Sequence, residues 1–259
     1  MQLIWHAIVS AFSTFSIIPT PRIEWNSKSL SGLLGALPLV GAAIGGICYL
    51  YYLLAGLLEL PVILSAAAMT LIPIGISGGI HLDGFTDTVD AISSYGDAEK
   101  KRAILKDPHV GAFAVIGIAF YFLFYFSLCA SLPFTSDMVI LLGVTHVLGR
   151  TVGALASSLI PTSTKKGMLH AFLEDASRGN VYALLVWAVL SLAAAAYIMP
   201  MASGIFLLLS VCVFFYVKGL AQKQFGGMSG DIAGFCISLT EIVLLLGLVL
   251  SERVVTLWF

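Results

Sequence analysis

Three aspartates stand four and three residues apart in the stretch GGIHLDGFTDTVD, residues 78–90: Asp83, Asp87 and Asp90. On a helix turning about 100° per residue they fall within about 60° of one another, so the carboxylates share one face. Like charges at this spacing repel unless a cation sits among them, and no lysine or arginine interrupts the run. Magnesium takes a few carboxylate oxygens and keeps its other positions for water and phosphate, so the run is a candidate metal and diphosphate platform. The bland alternative is a solvated helix end beside a membrane. His81, at the start of the run, reads equally as a general base or as a helix-end hydrogen bonder. Gly84 removes bulk beside the acids, which would let a ligand approach the backbone closely.

A second stretch repeats the spacing. Gly226, Gly227, Met228, Ser229, Gly230 and Asp231 place an acid five residues after the first glycine of a pair, the same offset that separates Gly78 from Asp83. The two stretches are expected to form two walls of one site, with Asp231 joining the three aspartates as a metal ligand. Lys106, Asp107, His109, Lys165, Lys166 and Arg178 lie between them and supply cationic groups for phosphate oxygens. Phosphoryl transfer from a diphosphate to a hydroxyl needs mainly positioning, neutralised oxygen charge and a stabilised leaving group, and these residue types provide all three.

The elements that carry these residues must lie in a membrane. With 59% hydrophobic and 10% charged residues and a mean hydropathy of +1.01 over 259 residues, the chain is not a soluble domain. Apolar runs cover 33–58, 61–80, 110–132, 138–160, 181–199, 202–217 and 232–250. All but the marginal sixth approach the roughly 20 residues that a spanning helix needs. The expected fold is all-α: a polytopic membrane bundle of about seven transmembrane helices. Residues 1–18 add an eighth span or an interfacial helix anchored by Trp5. The whole of 1–259 reads as one transmembrane catalytic domain, with 81–109 as its acid-rich active-site segment. Eleven basic residues fall on one side of the seven-span arrangement: Arg22, Lys28, Lys100, Lys101, Arg102, Lys106, Lys165, Lys166, Arg178, Lys218 and Lys223. Arg253 alone falls on the other, which places the long connections and the site in the cytoplasm. Cys48, Cys129, Cys212 and Cys236 are scattered singly and read as buried small hydrophobes. At a net charge of −1 no nucleic-acid partner is expected.

Two charges lie inside spans. Arg150 and Glu241 reach similar mid-membrane depth on antiparallel helices, where each alone would cost about 3 kcal/mol. A mutual ion pair is the first reading and a cavity-lining role the second.

Taken together, GG-x-HLDG-xx-DT-x-D, the later Lys106, Asp107 and Gly111, and FGGMSGD resemble the cobalamin synthase family, the adenosylcobinamide-GDP ribazoletransferases. IPTPR at 18–22, LPLVGAAIG at 37–45, and Gly149 with Arg150 extend the resemblance over most of the chain. The resemblance implies a magnesium enzyme of the cytoplasmic (inner) membrane. It joins adenosylcobinamide-GDP to alpha-ribazole, or to its 5'-phosphate, and releases GMP in the last assembly step of cobalamin synthesis. It implies metal ligation by Asp83, Asp87, Asp90 and Asp231, with His81 beside them. Lys106, Asp107, His109, Arg150, Arg178, Gly226, Gly227, Ser229 and Gly230 would bind phosphate or substrate. A homo-oligomer is compatible with it. The chain departs from the family at Ala91, where glycine is usual, at Pro108 and His109, where serine and arginine are usual, and at Ser238, where glutamate often stands. An intramembrane prenyltransferase would need a second aspartate-rich loop, and a CDP-alcohol phosphotransferase an arginine that DGFTDT lacks. A cation transporter would need acids lining several spans.

Overall fold

The computed structural model describes residues 2–23, 30–164, 168–174 and 178–258, and at Glu174 and Arg178 the backbone alone. Lys28, Lys165, Lys166 and the Arg178 side chain therefore lie outside the described residues. The helices are α1 (Gln2–Phe15), α2 (Leu33–Leu57), α3 (Val62–Ile76), α4 (Ile80–Ser93), α5 (Ala98–Ile104) and α6 (Ala112–Ser131). They continue with α7 (Ser136–Leu159), α8 (Met168–Glu174), α9 (Arg178–Ile198), α10 (Pro200–Leu220) and α11 (Gly230–Trp258). A π-helical turn, Ala221–Phe225, continues α10.

Among the described residues six helices are long and apolar enough to cross a membrane, and seven if α3 and α4 count as one broken span. The chain is a multi-pass membrane protein. α1, at 14 residues or about 21 Å, falls short of the roughly 30 Å hydrocarbon layer, and it packs against α2. The marginal run at 202–217 proves to be part of a 26-residue helical stretch, Pro200–Phe225, because the polar residues after Val217 stay helical.

The largest departure from the sequence reading is at the second span, which ends at Ile76 rather than at residue 80. Gly78 and Gly79 take φ of +63° and +75°, a left-handed turn that side-chain-bearing residues resist. The Gly79 N–H caps the Ile74 carbonyl at 3.0 Å, and α4 leaves at 93° to α3. If α3 crosses the membrane, α4 runs along its surface, carrying the aspartates across the end of the bundle.

α7 and α11 form the buried centre. α7 meets α2 on one side, where a methyl on Gly45 would lie 2.9 Å from the Gly143 Cα and one on Gly41 2.9 Å from the Val147 Cα. On its other side Gly149 faces the Glu241 side chain and Gly153 faces Ile237 of α11. Small residues four apart let helix backbones approach where lipid offers no hydrophobic drive for association. LPLVGAAIG and Gly149 are thus packing elements. One end of the bundle has tight connections: residues 132–135 join α6 to α7, Met199 alone separates α9 from α10, and Arg253 donates to the Ser131 carbonyl. The other end gathers α4, α5, α8, the π-turn and the start of α11. Of the cysteines, Cys48, Cys129 and Cys236 are buried as expected, but Cys212 is exposed on α10.

Candidate active site

The acids meet because α4 and α11 cross at two glycines. A methyl on Gly84 would lie 2.6 Å from the Asp231 carbonyl oxygen, and one on Gly234 would lie 2.9 Å from the His81 carbonyl oxygen. Gly84 therefore admits a neighbouring helix rather than a ligand. Asp231, in the first turn of α11, is brought beside the aspartate face of α4. The two GG-xxx-D stretches adjoin at this crossing, and their glycine pairs share positive φ: Gly226 and Gly227 have φ of +74° and +147°.

Electrostatically the cluster is uncompensated. Asp83 is exposed, Asp87 and Asp90 are half-buried, and among the described residues no lysine, arginine or histidine pairs with them or with Asp231. Burial, then the charges of Asp83, Asp231 and Asp90, push the Asp87 carboxyl up to about 6. Among the described residues no group of three or more His, Cys, Asp or Glu side chains is placed to hold a metal ion by itself. The acids form an open carboxylate face with no ion-pair partner among the described residues, and that charge suits an ion that keeps water and phosphate in most of its shell.

The acids differ in surroundings. Asp90 accepts from the Ala114 N–H at 3.2 Å, and its carboxyl fills the space where a Gly111 side chain would stand. It caps the start of α6, a role the spacing did not suggest, and this pairing accounts for the glycine in the Lys106–Asp107–Gly111 element. Asp83 and Asp231, by contrast, line a cavity of about 420 Å³ together with His81, Lys106, Ser229 and Gly230. Ser229 also caps α11 by accepting from the Ile232 N–H.

Several expected phosphate ligands lie elsewhere. Gly227 is pressed against the backbone of 161–163, where Met228 N–H donates to the Pro161 carbonyl at 2.8 Å. Gly226 faces Arg102, whose guanidinium donates to the Phe225 carbonyl. Both glycines shape the loop and neither lines the cavity. Asp107 and His109 hold each other on an exposed loop, ring nitrogen to carboxylate oxygen at 2.6 Å, and His109 keeps the Asp107 carboxyl below its ordinary value. Arg150 is committed to Glu241 and to the His146 carbonyl, away from the cavity; its expected phosphate role gives way to the ion pair that its depth also suggested. His146 Nδ1 stands 3.1 Å from the same Glu241 oxygen.

His81 is buried, stacks on Phe15 at 5.5 Å and has no hydrogen-bond partner at Nε2. Burial, and then Arg150, pull its imidazole down to about 3, so it stays neutral and is a poor proton acceptor near pH 7. The sequence reading also missed the cavity's other polar residues, Ser157, Thr162, Thr164 and His170. Their one available signal was position at the same membrane edge as the acids.

Comparison with known proteins bears on the same residues. The family described as cobalamin-5-phosphate synthase matches residues 7–249. A protein of Lachnoclostridium phytofermentans named adenosylcobinamide-GDP ribazoletransferase is 37% identical over 246 residues, covering 95% of this chain and 94% of its own. Proteins of the same name from Geobacillus kaustophilus and Clostridium botulinum are 34% and 31% identical, each covering 94% of this chain and 95% and 96% of their own. No solved structure matches.

Proposed function

Since the chain belongs to the cobalamin-5-phosphate synthase family, we propose that it catalyses the final joining step of cobalamin synthesis at the cytoplasmic surface of the inner membrane. In this reaction a ribose hydroxyl of alpha-ribazole, or of its 5'-phosphate, attacks the phosphorus on the cobinamide side of adenosylcobinamide-GDP. The new oxygen–phosphorus bond forms as the bond to GMP breaks, and the hydroxyl proton leaves to solvent or to a free carboxylate. The observation that carries this reading is the uncompensated carboxylate face of α4 and α11 at the mouth of a cavity.

Asp83, Asp87 and Asp231 would hold magnesium, with Asp90 adding charge while it anchors α6. Bound there, the ion supplies charge neutralisation across the diphosphate and stabilises the departing phosphate. The chain's own groups do the positioning. Lys106 offers a cation to phosphate oxygens from the cavity wall. The first turn of α11 at Gly230 presents the positive end of a 29-residue helix to the cavity. His81, neutral and packed on Phe15, orients α4 against the cavity rather than moving the proton. Purified protein in nanodiscs, given adenosylcobinamide-GDP, alpha-ribazole and magnesium, is expected to release GMP and form cobalamin, and EDTA is expected to stop it. Absence of product with either ribazole form would refute the reading, and full activity in EDTA would refute its magnesium part.

A further inference from the structure

Resting on the transferase reading, we propose that the 420 Å³ cavity is the pocket for the ribazole nucleoside, with its flat base held on an aromatic wall made by Phe15 and Phe172. The cavity has two chemically distinct sides. Asp83 from α4 and Ser229, Gly230 and Asp231 from the start of α11 form one, joined through the Gly84–Asp231 contact. The other is apolar: Phe15 of α1, Leu34 and Leu37 of α2, and Phe172 of α8. Its rings are already ordered against one another. Phe172 meets Phe15 edge-on at 6.1 Å and a 69° interplanar angle, and Phe15 stacks on His81 at 5.5 Å.

Volume separates the two co-substrates. Cavities of roughly 300–1,000 Å³ enclose drug-sized ligands, the class to which a benzimidazole ribonucleoside belongs. A corrinoid macrocycle carrying a nucleotide is several times larger, so it must engage from outside, reaching the mouth with its diphosphate. Polarity gives the same assignment. A benzimidazole base has apolar faces and carries no charge, which suits the phenylalanine and leucine wall. The ribose then faces the acid side, where its hydroxyl meets the diphosphate. The pocket thus selects the nucleophile by shape and ring stacking, while the carboxylate face handles the electrophile.

The test is steady-state kinetics of the full chain in nanodiscs, with each substrate varied at saturation of the other. Phe172→Leu removes the ring at similar volume, and Ala154→Leu fills the cavity from α7. Each is expected to raise KM for alpha-ribazole about tenfold, the scale of one lost base–aromatic contact, with KM for adenosylcobinamide-GDP unchanged. An unchanged KM for ribazole, or a rise confined to adenosylcobinamide-GDP, overturns the assignment while leaving the transferase reading intact. A wild-type chain that makes no cobalamin overturns both. Should the variants fail to insert, binding to the wild-type chain decides: alpha-ribazole alone, without magnesium or the second substrate, is expected to raise the thermal midpoint. No shift at saturating nucleoside overturns the proposal.

Discussion

Glu241 and Asp87 are both carboxylates in an oily chain, and their surroundings treat them in opposite ways. Glu241 is buried between α7 and α11, met by the Arg150 guanidinium and, at 3.1 Å, by His146. Every charge there has its counter-charge in the next helix, and the knot lies outside the large cavity. Asp87 stands on α4 with Asp83, Asp231 and Asp90 around it and no ion-pair partner among the described residues, and two of those neighbours, Asp83 and Asp231, line the cavity. The first group carries its own counter-charge within the protein and links α7 to α11, while Arg150 Nε and His146 Nε2 are buried without a hydrogen-bond partner. The second is arranged so that something from outside must complete it. Charge in a membrane protein thus reads as architecture or as function according to whether its partner is covalently part of the chain.

The contrast predicts opposite responses to neutral substitution, the largest at the buried pair. Arg150→Met or Glu241→Gln alone leaves an uncompensated buried partner and is expected to cost about 3–5 kcal/mol of stability. The exchange of Arg150→Glu with Glu241→Arg should recover most of that loss, as read by thermal unfolding in detergent. Single variants with wild-type midpoints would erase the distinction. At the surface cluster the expected loss is catalytic. Asp83→Asn and Asp231→Asn should lower transfer by about 10²–10³, the scale for one preorganised electrostatic group, with the thermal midpoint held or raised because a repulsion is removed. Near-normal transfer at saturating magnesium would remove these acids from the site.

Smaller effects sharpen how the cluster is built. Gly84→Ala must push α4 off the Asp231 backbone, which is expected to cost about 1–3 kcal/mol and to lower kcat as the two acid walls separate. A variant that loses stability but keeps kcat would show that the crossing packs helices without setting the acids. The gentlest probe is pH. The native Asp87 holds its proton to about 6, whereas an unperturbed carboxyl releases it near 3.8. The folded state therefore binds more protons in that window, so this group's contribution to stability falls as pH rises through it, and the loss is complete above about 6. In EDTA the thermal midpoint is expected to drop between about pH 4 and pH 6, less steeply in Asp87→Asn, and magnesium should restore more at the upper pH. A flat profile in wild type would mean that neither burial nor the neighbouring acids raise the Asp87 carboxyl.

Much of the site was legible in the chain itself because helical periodicity is a local property. The spacing of Asp83, Asp87 and Asp90 needed only 3.6 residues per turn to share a face, and α4 is a helix over that stretch. The apolar runs announced the membrane helices because length and hydropathy are summed over neighbours in sequence. The meeting of Arg150 with Glu241 followed from depth alone, since a buried charge in lipid must find its opposite at the same level.

What the sequence could not decide depended on contacts between distant segments. Composition marked Gly78 and Gly79 as the end of a span, but only the fold turned them into a 93° corner that carries the acids over the bundle. Asp90 differs from Asp83 by which neighbour reaches it, and the α6 N-terminus is 24 residues away in the chain. Gly84, Gly227 and Gly111 are interchangeable as letters. Each is distinguished by the atom that occupies its missing side chain: the Asp231 carbonyl, the backbone of 161–163 and the Asp90 carboxylate. By itself, then, the sequence determined that this is a membrane helix bundle with an acid face at one edge, since periodicity and hydropathy act over a few turns. Which of those acids face a cavity, and what lines its far wall, was decided by tertiary packing, because α1, α2, α8 and α11 contribute to that cavity from places the chain visits far apart.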